Sequence, residues 1–143
     1  MQGMDTRSLV LPAEKQIMRY HVLIADDEPS VLSVLRLFFG RSGFQVTAAR
    51  DGLEAIELAQ QELPDAIILD LQMPRMSGTD VARQLRANPR FATTPIVAIT
   101  AHMRDYLPED VMIAGFDKLV TKPFELAALL KLIRGMIDEQ HHL

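Results

Sequence analysis

Three carboxylates, a hydroxyl and a lysine recur at matching places, each at the end of a short apolar run. Asp26-Asp27-Glu28 follows residues 22–25, Asp70 follows 66–69, Thr100 follows 95–99, and Thr121-Lys122 follows 119–120. Taken singly, each has an ordinary explanation. An Asp-Asp pair caps a helix, an Asp opens a turn, a Thr ends a strand, and a Lys sits in solvent. Taken together they describe a chemistry. Clustered carboxylates repel, so either one protonates or a cation neutralises them. Hard oxygen donors without His or Cys favour Mg²⁺ over zinc or copper. A lysine and a hydroxyl suit the oxygens of a phosphate. The set reads as a Mg²⁺-assisted phosphoryl site whose nucleophile is a carboxylate.

The elements that would bring these residues together are legible. Five apolar runs, at 22–25, 44–49, 66–69, 95–99 and 119–120, are largely apolar throughout, as in strands buried on both faces of a parallel sheet. Between them lie helical patterns. Val31, Val34, Leu35 and Phe38 are spaced i, i+3, i+4, i+7, with Pro29 in a first-turn position and Gly43 past the end. Asp51 with Glu54 predicts a capping box opening a helix over 52–62, and Ser77 with Asp80 predicts one over 78–87. A short fourth helix runs from Pro108 to before Gly115. Leu126, Leu129, Leu130, Ile133 and Ile137 form the stripe of a last helix ending near Glu139. Parallel strands joined by right-handed helical crossovers make a doubly wound α/β sheet, and all its strand ends share one edge. Open sheets of this kind bind ligands at that edge, which is where the polar residues fall.

Composition narrows the classes. The 143 residues suit one domain, and the absence of cysteine excludes a disulfide scaffold, thiol catalysis and a zinc finger. A net charge of −4 disfavours binding to nucleic acid, so no DNA binding is expected. No stretch reaches the roughly 18 apolar residues of a membrane span, so no membrane association and a cytoplasmic location are expected. Residues 1–19 read as an N-terminal arm, 20–139 as the domain and 140–143 as a tail, with His141-His142 as a frayed end.

With these motifs in hand, the sequence resembles the receiver domain of two-component response regulators. The resemblance rests on Asp26-Asp27, on Leu69-Asp70-Leu71-Gln72-Met73-Pro74-Arg75-Met76-Ser77-Gly78, on Thr100-Ala101 and on Lys122-Pro123-Phe124, and it spans residues 20–138. It implies a flavodoxin-like (βα)5 fold with strand order 2-1-3-4-5. It implies that Asp70 is the phosphoacceptor, serving a histidine kinase or a histidine phosphotransfer protein. Asp27, Asp70 and the backbone carbonyl of Gln72 would bind Mg²⁺ directly, and Asp26 would act mainly through metal-bound water. Lys122 would pair with the phosphoryl oxygens, Thr100 would move to bond one of them, and the Lys122–Pro123 bond would be cis.

The sequence departs from the family where Leu119 replaces an aromatic residue three positions before the lysine, which puts the switch rather than the phosphorylation in question. The nearest aromatic, Phe116, is expected to sit in a loop and point elsewhere. Met103, Tyr106 and Leu107 are large residues ahead of Pro108, read as local packing or as a docking surface for a downstream partner. Leu132 and Met136 extend the last helix's apolar surface beyond its stripe, which suggests a face for a partner or a homodimer. His102 is placed at the pocket mouth.

Three functions compete. The first is a stand-alone regulator with no output domain, switching partner binding or relaying phosphoryl, and showing only self-phosphorylation and dephosphorylation rather than enzymatic turnover. The second is a carboxylate-nucleophile phosphatase of the haloacid-dehalogenase type, disfavoured because Gln72 stands where a second acid is required. No G-x-x-x-x-G-K-[ST] or G-x-G-x-x-G loop offers a nucleotide site either. The third is a receiver-like interaction module acting independently of phosphorylation.

Overall fold

A computed structural model describes residues 19–141. Residues 1–18 of the expected arm at 1–19, and the final residues 142–143, lie outside the described residues. Five parallel strands, β1 (His21–Ala25), β2 (Gln45–Ala49), β3 (Ala66–Asp70), β4 (Ile96–Thr100) and β5 (Lys118–Thr121), form one sheet in the order β2-β1-β3-β4-β5. The crossovers are α1 (Pro29–Arg41), α2 (Gly52–Glu62), α3 (Gly78–Arg86) and α4 (Pro108–Ala114), and α5 (Leu126–His141) follows the last strand. This is the expected doubly wound α/β fold.

The apolar strands are explained by two cores. Leu23, Ala25, Ile67, Leu69, Ile96 and Ala98 face one side, against Ala55 and Ala59 of α2, Val81 and Leu85 of α3, and Val111 of α4. Their neighbours Val22, Ile24, Ala66, Ile68, Val97 and Ile99 face the other, against Leu32, Leu35 and Phe39 of α1 and Leu129, Ile133 and Ile137 of α5. Successive strand residues point to opposite faces, so a sheet covered on both sides needs unbroken apolar runs.

Local signals set the helix ends. Asp51 accepts the Glu54 N–H at 2.9 Å, while Glu54 reaches back to the Arg50 N–H at 2.7 Å. Ser77 accepts the Asp80 N–H at 3.3 Å. Gly115 ends α4 at φ +120°, a conformation that disfavours any residue with a Cβ.

Long-range packing corrects several expectations. Phe44 precedes β2 rather than joining it, and packs edge-on to Phe39 with ring centroids 5.1 Å apart. α5 ends at His141, two residues past Glu139. Gln140 and His141 of the expected tail are helical, and His141 stacks edge-on against Tyr20 at 5.5 Å with its Nε2 3.7 Å from Asp65. Leu132 and Met136 are half-buried, packed in part on the α1–α5 core. Met103 and Tyr106 are half-buried and Leu107 is exposed, and the Tyr106 ring packs on the α2–α4 core. Phe116 lies between α4 and β5, as expected of a loop residue, and is buried in that same core.

Candidate functional site

The sheet's carboxyl-terminal edge gathers the polar residues in strand order. β1 delivers Asp26 and Asp27, its neighbour β3 ends on Asp70, β4 ends on Thr100, and β5 runs into Lys122. Each arrives where it does because parallel register aligns the strand ends. Ala25 pairs with Leu69, Asp70 with Ile99, and Thr100 with Thr121.

Asp26, Asp27 and Asp70 each present one carboxylate oxygen within 4.8 Å of the others. Asp26 and Asp70 are buried, Asp27 is exposed. Lys122 Nζ stands between them, 2.9 Å from Asp26 Oδ2, 3.0 Å from Glu28 Oε1 and 3.3 Å from Asp70 Oδ2. Backbone amides hold the other carboxylate oxygens. Glu28 N–H donates to Asp26 Oδ1 at 2.9 Å, and Gln72 N–H donates to Asp70 Oδ1 at 3.1 Å. The Lys122 contact to Asp26 Oδ2 is close but lies off the direction of a hydrogen bond. That oxygen is therefore the one buried side-chain polar atom without a hydrogen-bond partner among the described residues.

Electrostatics follow from this crowding. Burial pushes the Asp70 carboxyl up to about 6, reinforced by the charge of Asp26 and opposed by the Gln72 N–H and Lys122. Burial opposes the charge on Lys122, but the carboxylates of Asp26, Glu28 and Asp70 outweigh it and hold the ammonium protonated above the usual lysine range.

Two close approaches fix the loop after β3. A Cβ on Gly78 would stand 2.4 Å from the Asp70 carbonyl oxygen, and one on Gly52 would stand 2.2 Å from that of Met76. Only glycines let α2 and α3 press this loop into place. Arg75, at φ +70°, is tied to Asp51 by an ion pair at 3.6 Å.

Each predicted site residue is accounted for. Asp26, Asp27, Asp70 and Lys122 converge. Gln72 reaches Asp70 through its backbone N–H. Thr100 is buried at the same edge, with its Oγ1 accepting the His102 N–H at 3.0 Å, while the His102 side chain is exposed. The Lys122–Pro123 bond is cis. Glu28 was missed as a lysine partner. Its only sequence signal was adjacency to Asp26-Asp27.

The fold and this edge place the chain among proteins already known. The response regulator receiver domain family matches residues 22–134, and the chain belongs to that family. Response regulator MprA of Mycobacterium ulcerans (strain Agy99) is 38% identical over 122 residues, covering 84% of this chain and 51% of that protein. Response regulator MprA of Mycobacterium leprae (strain TN) is 40% identical over 118 residues, 81% of this chain and 50% of that protein. The chain spans about half the length of the curated relatives it matches. The expected lack of an output domain thus finds no support in those relatives. Among solved structures, the receiver domain of sensor histidine kinase PA1611 from Pseudomonas aeruginosa PAO1 is 28% identical. It matches at a TM-score of 0.77 over 83% of this chain and 98% of that one, and carries a magnesium ion in its active-site cleft. Chemotaxis response regulator CheY4 of Vibrio cholerae is 28% identical at a TM-score of 0.75, over 82% of this chain and 98% of that one. Among the described residues, no helix is long and apolar enough to cross a membrane.

Proposed function

We propose that this chain is a phosphorylation-driven switch in which Asp70 accepts a phosphoryl group from the phosphohistidine of a histidine kinase or histidine phosphotransfer protein. The observation that carries this reading is the placement of Asp70, buried, 3.3 Å from Lys122 and grouped with two further carboxylates. One Asp70 oxygen forms the new P–O bond as the P–N bond to imidazole breaks, and the electron pair returns to the ring nitrogen. With its carboxyl at about 6, Asp70 is mainly the anion this attack requires at neutral pH. Lys122 stays charged and neutralises a phosphoryl oxygen. The His102 N–H takes a lone pair of Thr100 and leaves the Thr100 O–H free to donate to another.

The donor set fits Mg²⁺. All side-chain donors are carboxylate oxygens, and the buried Asp26 Oδ2, beside Lys122 but without a hydrogen bond, keeps a lone pair for a further cation. Asp26, Asp27, Asp70 and the Gln72 backbone carbonyl would hold it. When bound, Mg²⁺ offsets the crowded negative charge and orients a phosphoryl oxygen. An open groove of about 630 Å³, lined by Val31, Val34, Pro123 and Phe124, begins at Glu28 and Lys122 and gives the donor protein an approach. The chain modifies itself and passes the signal to a downstream protein, and does not turn over a substrate. Gln72 lacks the acid a phosphatase would need.

A titration with beryllofluoride and Mg²⁺, followed by amide NMR, tests this. Shifts at Asp26, Gln72, His102 and Lys122 that require both components are expected. Their absence would overturn the proposal, and partner binding equal with and without beryllofluoride would favour a phosphorylation-independent module.

A further inference from the structure

We propose that Glu28 is an internal counter-anion for Lys122 that competes with an incoming phosphoryl oxygen, so that this residue sets how readily the phosphorylated state forms. The inference rests on the reading of Asp70 and Lys122 above.

Glu28 occupies the N-cap of α1, yet its side chain makes no capping hydrogen bond. The next residue, Pro29, has no N–H to offer. The carboxylate is therefore not used by its own helix. It accepts instead from Lys122 Nζ, distant in sequence but at the same sheet edge, at 3.0 Å, nearer than Asp70 Oδ2 at 3.3 Å. An ammonium has three N–H donors. Glu28 and Asp70 accept from two of them, and Asp26 Oδ2 stands 2.9 Å away, off the direction of a hydrogen bond. Phosphorylation takes the Asp70 carboxylate out of this set, and the phosphoryl oxygen then competes with the remaining carboxylates for the ammonium. Asp26 is fully buried and cannot return to water, whereas the Glu28 side chain is 58% exposed and can. Glu28 is the partner that leaves at least cost. It is a positioning residue, since it acts through Lys122 and does not touch the reacting atoms.

An ion pair whose anion is open to solvent holds its partners only weakly, so its release changes affinity by about two- to fivefold. The test measures beryllofluoride affinity at saturating Mg²⁺ in the wild type, Glu28→Gln and Glu28→Asp, each first shown folded by circular dichroism. Both variants are expected to bind about two- to fivefold more tightly. Glu28→Asp keeps the charge but is one methylene too short to reach Nζ. A gain in both variants assigns the effect to contact, while a gain in Glu28→Gln alone assigns it to diffuse charge and overturns the proposal. Unchanged or weaker binding in Glu28→Gln also overturns it. A second readout needs no metal or analogue. Trace acetylation of Lys122 by acetic anhydride, mapped by mass spectrometry, is expected to speed up in both variants, and an unchanged rate would count against the pairing. If the wild type binds no beryllofluoride, the Asp70 reading fails. If it binds and the variants match it, only the role of Glu28 fails.

Discussion

At the amino-terminal edge of the sheet, Arg86, Asp117, Asp65 and Tyr20 are each paired. Arg86 donates to the carbonyls of Gly115 (2.9 Å), Phe91 (2.6 Å) and Thr94 (2.8 Å), and to Asp117 at 3.0 Å. Asp117 also accepts the Ile96 N–H at 2.9 Å, and Asp65 accepts the His21 N–H at 2.7 Å. Tyr20 donates to Asp138, which ties the start of β1 to α5. At the carboxyl-terminal edge the same kinds of residue are left in conflict. One lysine serves three carboxylates, Asp26 Oδ2 is left without a hydrogen bond, and burial raises the Asp70 carboxyl to about 6. The first edge spends its polar groups on holding strands and loops together. The second leaves charge unbalanced, and that imbalance is what a cation and a phosphoryl group can relieve. Stability and reactivity are thus built from similar side chains at opposite ends of the same strands.

The largest test of this contrast is at Asp70. Asp70→Asn is expected to reduce labelling by acetyl phosphate and Mg²⁺ to background, read by intact-protein mass spectrometry. An unchanged phosphorylated fraction would refute the assignment.

Arg86→Ala probes the opposite edge. It leaves three backbone carbonyls and Asp117 short of a donor, and is expected to cost about 2–4 kcal/mol in urea unfolding. The folded variant should still label at Asp70. A loss of labelling without a loss of stability would erase the division between the edges.

Next comes pH. The Asp70 carboxyl rises from its usual 3.8 to about 6 on folding without metal. A raised acid favours the fold when protonated, so this contribution is complete below about 3.8 and is lost as pH rises through about 6. Asp70→Asn removes that loss. It is expected to stabilise the metal-free protein at pH 7.5 by about 1–3 kcal/mol, the upper figure being two pKa units at 1.36 kcal/mol each. At pH 4 the advantage should vanish. Equal stability of the two proteins at both pH values would remove the charge imbalance ascribed to this edge.

The smallest effect expected is that of Mg²⁺ on folding. At ten times its Kd a ligand of the folded state adds about 1.4 kcal/mol, measured as a rise in Tm that a chelator reverses. Asp27→Ala should weaken that response, and Arg86→Ala should leave it intact.

Much of this was legible in the chain because it is encoded locally. Unbroken apolar runs mark strands covered on both faces, Asp51 with Glu54 and Ser77 with Asp80 mark helix starts, and Gly115 marks a stop. The convergence of Asp26, Asp27, Asp70, Thr100 and Lys122 was legible for a related reason, since parallel strands must end on one edge. Other features were not. Phe44, Leu132, Met136 and His141 are defined by what lies across from them, Phe39, the α1–α5 core and Tyr20. The same holds inside the site. Sequence alone named the carboxylates and the lysine. Only the tertiary structure decided that Lys122 also pairs with Glu28, that Asp26 Oδ2 is left without a hydrogen bond, and that burial raises Asp70. Residue type and spacing follow from neighbours in the chain, whereas desolvation and partner choice depend on groups dozens of residues away, which only the packed fold brings within a few ångströms.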